Sequence, residues 1–246
     1  MPHLMPGLTT EEVRARKAAV AVLPIGSFEQ HGPYLPLITD TAIACIIANE
    51  IADAYPVQSL PPITISCSHE HKAWPGTVSI SSRTLYAIIA DVQQSLRQSG
   101  ISKLILINGH GGNYVLKNIV QEATVDGPRM ALFPASADWA QARAAAGMTT
   151  NDHEDMHAGE LETSILLYGS PRFVRNGYQD GDHTVDERPD LLTVGMEAYT
   201  TSGIIGRPSL ASASKGKSAV ARLVESFTRC LDIITDKRIG AGDGTL

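Results

Sequence analysis

The sequence predicts an α/β fold, a mainly parallel sheet with helices on both faces. Two apolar runs, "AAVAVLPI" at 18–25 and "SKLILIN" at 102–108, are continuous rather than alternating, the pattern of strands covered on both sides. Helical patterns of ten to twenty residues separate the strand-like segments, which is the signature of βαβ units. The polar residues able to do chemistry gather just after these runs, where open parallel sheets bind their ligands.

Thr9 followed by Glu12 forms a capping-box pattern, so a short helix is expected from about residue 10 to Lys17. The first strand, 18–25, comes next. "DTAIACIIANEIADAY" at 40–55 has apolar residues at helical spacing, with Asp40 placed as an N-cap. Residues 57–66 and 76–80 read as two further extended segments. Ser82 opens an amphipathic helix that Gly100 stops. After the 102–108 strand, "GHGGN" leads to a helix from Tyr114 to Ala123, "RMALFPA" at 129–135 gives another strand, and "HAGELETSILLYG" at 157–169 another helix. Residues 171–215, rich in Gly, Pro, Asp, Ser and Thr, form a long irregular excursion before a last helix over 216–236. No repeat, low-complexity tract or linker divides the chain, so residues 1–246 are expected to form one domain.

Composition narrows the class of partner. A chain of 246 residues, 43% hydrophobic, can bury one large core. A net charge of -6 and the lack of a Lys/Arg stripe argue against nucleic acid and favour a small-molecule substrate. Cys45, Cys67 and Cys230 are odd in number and widely spaced, so they read as reduced thiols, and a cytoplasmic location is expected. The first seventeen residues lack a signal-peptide pattern, and no apolar run approaches the ~20 residues of a membrane-spanning helix.

Three polar clusters follow strands. "GSFEQHGPYLPLITD" carries Glu29, His31 and Asp40; "NGHGGN" carries His110; "HEDMHAGELE" carries His157, Glu160 and Glu162. Any one of them alone reads as a solvated loop or a helix cap. Together, at successive strand ends, carboxylates and imidazoles point to a site for zinc, manganese or iron.

"PIGSFEQHGPYLPLITDT", "NGHGGN" and "HAGELETS", in this order, resemble the creatininase family of metal-dependent amidohydrolases, with "EHKAWPGT" and "GIIGRPSLASASKG" as supporting matches. The resemblance implies a three-layer α/β/α sandwich, assembly into homohexamers, and two divalent metals per chain, zinc first with manganese or iron as alternatives. It implies that Glu29, Asp40 and His110 hold one metal, and that His31 and the bridging Asp40 hold the other. Creatininases proper carry Tyr-Glu after the metal-binding histidine; Gly111 and Gly112 stand there in this chain, so Glu160 becomes the expected fifth ligand. His157 and Glu162 match positions that handle protons, His157 as a neutral base at a helix start. His71 and Gly111 are expected beside the substrate, together with His153, which stands where creatininases place a covering tryptophan.

The function this implies is hydrolysis of a non-peptide C–N bond, in a lactam or formamide, through a metal-bridging water. The same family resemblance also allows action on a precursor peptide or on the C–C bond of a cyclic ketone. A non-catalytic metal-binding or ligand-sensing protein is the alternative from another class. "KGKS" at 215–218 lacks the upstream glycine of a phosphate loop, and no G-x-S-x-G or G-x-G-x-x-G occurs, so serine hydrolysis and nicotinamide chemistry find no support.

Overall fold

A computed structural model describes residues 5–235. Its sheet has four parallel strands, β1 (Val20–Ile25), β2 (Gln58–Ser59), β3 (Lys103–Asn108) and β4 (Met130–Phe133), in the order β2-β1-β3-β4. The helices are α1 (Thr10–Arg16), α2 (Thr39–Ala54), α3 (Ser82–Gln98), α4 (Val115–Ala123), α5 (Ser136–Ala145), α6 (Glu160–Gly169), the single-turn α7 (Leu191–Val194) and α8 (Ala213–Ile234). No helix among the described residues is long and apolar enough to cross a membrane.

Strand side chains alternate between two cores. Val20, Val22, Ile105, Ile107 and Phe133 pack with α2, α5, α6 and α8, while Ala21, Leu23, Ile25, Leu104, Leu106 and Met130 pack with α3 and α4. Every residue of β1 is buried, as the uninterrupted apolar run demands. The result is the expected sandwich of helices, sheet and helices.

Several boundaries differ from the sequence reading. The 57–66 segment contributes only Gln58–Ser59 as strand, because Pro61 and Pro62 have no N–H to give a ladder; Leu60 and Ile63 still donate to Val22 and Pro24 of β1. Residues 76–80 form no strand, and only Val78 bridges to Phe28. Asp40 is not the N-cap of α2: Ile38 holds that place, and Asp40 is the second helical residue. Helix α6 begins at Glu160, three residues later than expected. Residues 136–145 form a helix the patterning does not anticipate, since its apolar side chains are mostly alanine and its periodicity is faint. Residues 171–212 run irregularly through single turns, as composition predicts. Asp236, the expected end of the last helix, lies outside the described residues.

β1 and β3 end in register, with Ile25 opposite Asn108. The next residues are glycines for a reason of space. A Cβ on Gly26 would lie 2.2 Å from the Thr41 nitrogen, and one on Gly109 would lie 2.4 Å from the Asp40 carbonyl oxygen. Two missing side chains thus let the first turn of α2 rest directly on the carboxyl ends of the central strands, with Asp40 over the gap between them.

Helices α6 and α8 approach as closely. A Cβ on Gly216 would sit 1.9 Å from the Ser164 carbonyl oxygen. Gly216→Ala is therefore expected to destabilise the fold by about 1–3 kcal/mol through overpacking. Urea denaturation checks this, and an unchanged midpoint would show that the two helices separate freely.

Candidate metal centre

Five elements deliver the site. The loop after β1 brings Glu29 and His31, the first turn of α2 brings Asp40, and the loop after β3 brings His110. His157 comes from the segment before α6, and Glu162 from its first turn. The Asp40 carboxylate lies between two imidazoles: Oδ1 is 3.0 Å from His31 Nε2 and Oδ2 is 3.0 Å from His110 Nδ1. Ser27 Oγ donates to Oδ2 at 2.7 Å and fixes the rotation of the group. Potential ligand atoms fall into three overlapping triads: Glu29 with Asp40 and His110, His31 with Asp40 and Glu162, and Glu29 with His31 and His157.

The donor set fits metal ions by two independent signs. Glu29 is fully buried, yet neither carboxylate oxygen has a hydrogen-bond partner. A buried carboxylate left so costs several kcal/mol unless a cation meets it. Both candidate histidine ligands are also oriented from behind. His31 Nδ1 is 3.1 Å from the Glu29 carbonyl oxygen, and His110 Nε2 is 2.8 Å from that of Cys67. A carbonyl only accepts, so each ring places its N–H there and turns its other nitrogen toward the carboxylates, as metal-binding histidines do.

Electrostatics divides the four buried imidazoles into pairs. Burial disfavours charge on His31 and His110, but Asp40 and Glu29 outweigh it, so His31 is pushed up to about 9 and His110 well above its ordinary value. The same pairing holds Asp40 well below the carboxylate range against the effect of its burial. His157 and His71 go the other way. Burial, with His31 and His71 beside it, holds His157 well below its ordinary value, and burial brings His71 down to about 4 although Glu29 opposes it. Burial pushes Glu162 up to about 7, with His31 opposing.

His157 is neutral for a reason other than the one its sequence position implies. It precedes α6 rather than opening it, and its main chain pairs with Ile205 on the far loop. Its Nε2 lies 2.7 Å from the Gln30 carbonyl oxygen, which places the ring hydrogen there and leaves Nδ1 free, 3.9 Å from Glu29 Oε1. Ala158, in the left-handed region at φ +55, turns the chain so that its N–H donates to Glu162 Oε2 at 2.6 Å.

Other predicted residues are placed as follows. His71 joins the cluster, 3% exposed, with Nε2 3.2 Å from Glu29 Oε1. Glu160 does not join it: the side chain is fully buried against α8, 2.5 Å from Lys215 Nζ, and accepts from Thr150 Oγ1 at 2.6 Å. His153 is exposed on the surface, where Arg188 Nη2 donates to its carbonyl oxygen. Gly111 is exposed and lines a cavity of about 250 Å³ that also touches His110, Glu162, Trp139, Met156 and Leu161. Asp155 is buried and accepts from the Glu160 and Leu161 amides, so it caps α6. The aspartate five residues before Glu160 was the only signal for that cap. Glu162 as a partner of His31 and Asp40 is the main feature that spacing alone did not identify.

Comparison with known proteins accords with this geometry. Residues 6–231 match the creatininase family, described as creatinine amidohydrolase. The chain is 31% identical over 238 residues to the mycofactocin precursor peptide peptidase of Mycolicibacterium smegmatis, covering 93% of this chain and 89% of the relative. It is 26% identical to the creatinine amidohydrolase of Pseudomonas putida, covering 85% and 88%, and 25% identical to the 3-dehydro-scyllo-inosose hydrolase of Thermotoga maritima, covering 94% and 83%. Among solved structures, a manganese creatininase superposes with a TM-score of 0.75 at 23% identity, covering 92% of this chain and 95% of that one. A zinc–zinc creatininase variant gives the same TM-score, identity and coverage. With family motifs spread along nearly its whole length and a buried carboxylate–imidazole cluster at the strand ends, the chain belongs to the creatininase family of hydrolases.

Proposed function

We propose that this protein is a two-metal hydrolase that cleaves an amide bond of a peptide. The observation that carries the two-metal reading is Asp40, whose two oxygens face different histidines in two different triads. Glu29, Asp40 and His110 would hold one ion. His31, Asp40 and Glu162 would hold the other, with Glu162 taking the place that spacing assigned to Glu160, because Glu160 already has Lys215 and Thr150 as partners. Divalent ions there would supply Lewis acidity, polarising a carbonyl oxygen and lowering the pKa of water. His157, neutral and with Nδ1 free toward Glu29, accepts the proton from the attacking water and returns it to the departing nitrogen. Zinc or manganese suits the mixed carboxylate and imidazole donors.

The substrate class moves from a lactam or formamide to a peptide. Supporting this is the 31% identity over 93% of the chain to a precursor peptide peptidase, against 26% for the creatinine amidohydrolase and 25% for the 3-dehydro-scyllo-inosose hydrolase. The 250 Å³ cavity beside His110 and Glu162, walled by Trp139, Met156 and Leu161, has the room and apolar lining for one peptide side chain. Purified protein loaded with zinc or manganese is expected to cleave members of a short-peptide panel and to lose that activity on chelation. Turnover of lactams or formamides but not of peptides would return the assignment to a cyclic or formyl amide.

Ligand variants test the centre directly. Native protein should hold about two divalent ions per chain by elemental analysis, Asp40→Ala should hold neither, and Glu162→Gln should lose one. Glu160→Gln should keep both ions while losing about 1–3 kcal/mol of stability, since a neutral amide replaces the buried carboxylate to which Lys215 and Thr150 donate. Loss of an ion in Glu160→Gln at unchanged stability would restore Glu160 as the ligand.

Metal binding should also depend on pH with a definite sign. His31 in the folded, metal-free chain titrates at about 9, above the ~6.5 of an unfolded histidine. The stability from its charged form is complete below ~6.5 and is lost as pH rises through about 9. Glu162, at about 7, loses its contribution in the same direction. A divalent ion must displace these protons, so it binds better as they leave. The rise in Tm produced by a fixed zinc concentration is expected to be larger at pH 8.5 than at pH 6.5; an equal or smaller rise would place the ion away from His31.

A further inference from the structure

Gln30 stands between two proposed ligands, Glu29 and His31, and is itself only 4% exposed. Its side-chain amide has four neighbours. Oε1 accepts from the Gly32 amide at 2.9 Å. Nε2 lies 3.1 Å from the Gly203 carbonyl oxygen, 2.9 Å from His71 Nδ1 and 3.2 Å from His157 Nε2. The main-chain carbonyl of the same residue is the oxygen 2.7 Å from His157 Nε2.

These contacts leave no freedom of assignment. The Gly32 N–H can only donate and the Gly203 carbonyl can only accept, so the amide cannot flip without setting two donors and two acceptors against each other. Both hydrogens of Nε2 are then committed, one to Gly203 and one to His71 Nδ1. A neutral His71 must therefore carry its hydrogen on Nε2, the nitrogen 3.2 Å from Glu29 Oε1. His157 also carries its hydrogen on Nε2, held by the carbonyl of Gln30, but here the nitrogen facing Glu29 is the bare Nδ1. The 3.2 Å approach of Gln30 Nε2 to His157 Nε2 is a contact of two donors, and the shorter bond to the carbonyl decides the ring's state.

We propose that Gln30 is a positioning residue that dictates the tautomers of two imidazoles, so that of the ring nitrogens nearest Glu29, that of His71 carries the hydrogen and that of His157 is bare, although neither is aligned for a hydrogen bond to the carboxylate. The value of this to catalysis rests on the two-metal reading above, but the tautomers are fixed by the chain alone. The long loop across the site takes part. Gly203, at φ +88, presses so closely on the amide that a Cβ there would lie 1.8 Å from Gln30 Oε1. Two residues on, Ile205 holds the main chain of His157 through both its N–H and its carbonyl, with bonds of 3.0 and 2.8 Å. Gln30 thereby ties the loop, the base and the Glu29 carboxylate into one unit.

The test is nitrogen NMR of the full chain labelled in its histidine rings, recorded metal-free and with zinc, with His71→Ala and His157→Ala to assign the signals. The native spectra are expected to show both rings neutral, with Nε2 pyrrole-like and Nδ1 of His71 pyridine-like. In Gln30→Glu, a carboxylate at the amide position demands a hydrogen on His71 Nδ1, so that signal should move to the pyrrole-like range while His157 keeps its hydrogen on Nε2. Gln30→Met, which removes the donor without the charge, should leave His71 a mixture of tautomers. A native His71 protonated at Nδ1, or a His71 signal unmoved in Gln30→Met, would overturn the proposal. If Gln30→Glu does not fold, the native spectrum and Gln30→Met still decide it. Protein that holds no divalent ion would sink the two-metal reading while leaving the tautomers to be read from the metal-free spectra.

Discussion

The structure depends on burying two carboxylates, Glu29 and Asp40, side by side at the carboxyl ends of the central strands. Each is at most 1% exposed, and such groups are tolerated only where positive charge or hydrogen-bond donors meet them. Asp40 is met by Ser27, His31 and His110; Glu29 has imidazoles around it but no aligned donor on either oxygen. Much of the surrounding architecture serves this arrangement. Gly26 and Gly109 give up their side chains so that α2 can set Asp40 over the strand ends. The first turn of α2 brings a positive dipole end to the same place, which favours an ionised carboxylate there.

The four imidazoles around these carboxylates are not equivalent, and the main chain makes them differ. His31 and His110 have their outer nitrogens held by carbonyls of Glu29 and Cys67 and their inner nitrogens turned to the acids, so without an ion they hold protons. His157 and His71 lie beside those charged rings, with centroids 4.1 Å apart for His31 and His157 and 6.2 Å for His110 and His71, and stay neutral. Groups of one chemical type driven apart in pKa by position are how one site supplies both ligands and a base.

The sequence reveals the outline better than the closure. Continuous apolar runs place β1 and β3, and the spacing of "GSFEQHGPYLPLITD" brings Glu29, His31 and Asp40 together as read. What fails is the phase of α6. A helix turns about 100° per residue, so Glu160 and Glu162 stand about 200° apart on its surface, and only the true start decides which faces inward. Reading the helix from His157 hides the turn at Ala158 and the cap from Asp155, and with them the fact that Glu160 belongs to Lys215. Helix α5 escapes because alanines carry little periodicity. The loop over 171–212 escapes because its role is carried by carbonyls and backbone pairs, at Gly203 and Ile205, which side-chain patterns do not encode.

Gly112 explains how this chain departs from creatininases proper while keeping their fold. A Cβ there would lie 2.1 Å from Glu70 Oε1 and 2.4 Å from His110 Nε2, so a glutamate at this position, as creatininases proper carry, would have to displace the Glu70 carboxylate and the His110 ring. A third carboxylate beside Asp40 is that of Glu162, on the opposite wall formed by α6. The β3 side is bare of side chains at Gly111, and it is there that the cavity bounded by Trp139, Met156 and Leu161 reaches the cluster. The glycines after His110 therefore shape how the cluster is approached, while Glu29, His31, Asp40 and Glu162 shape what it can hold.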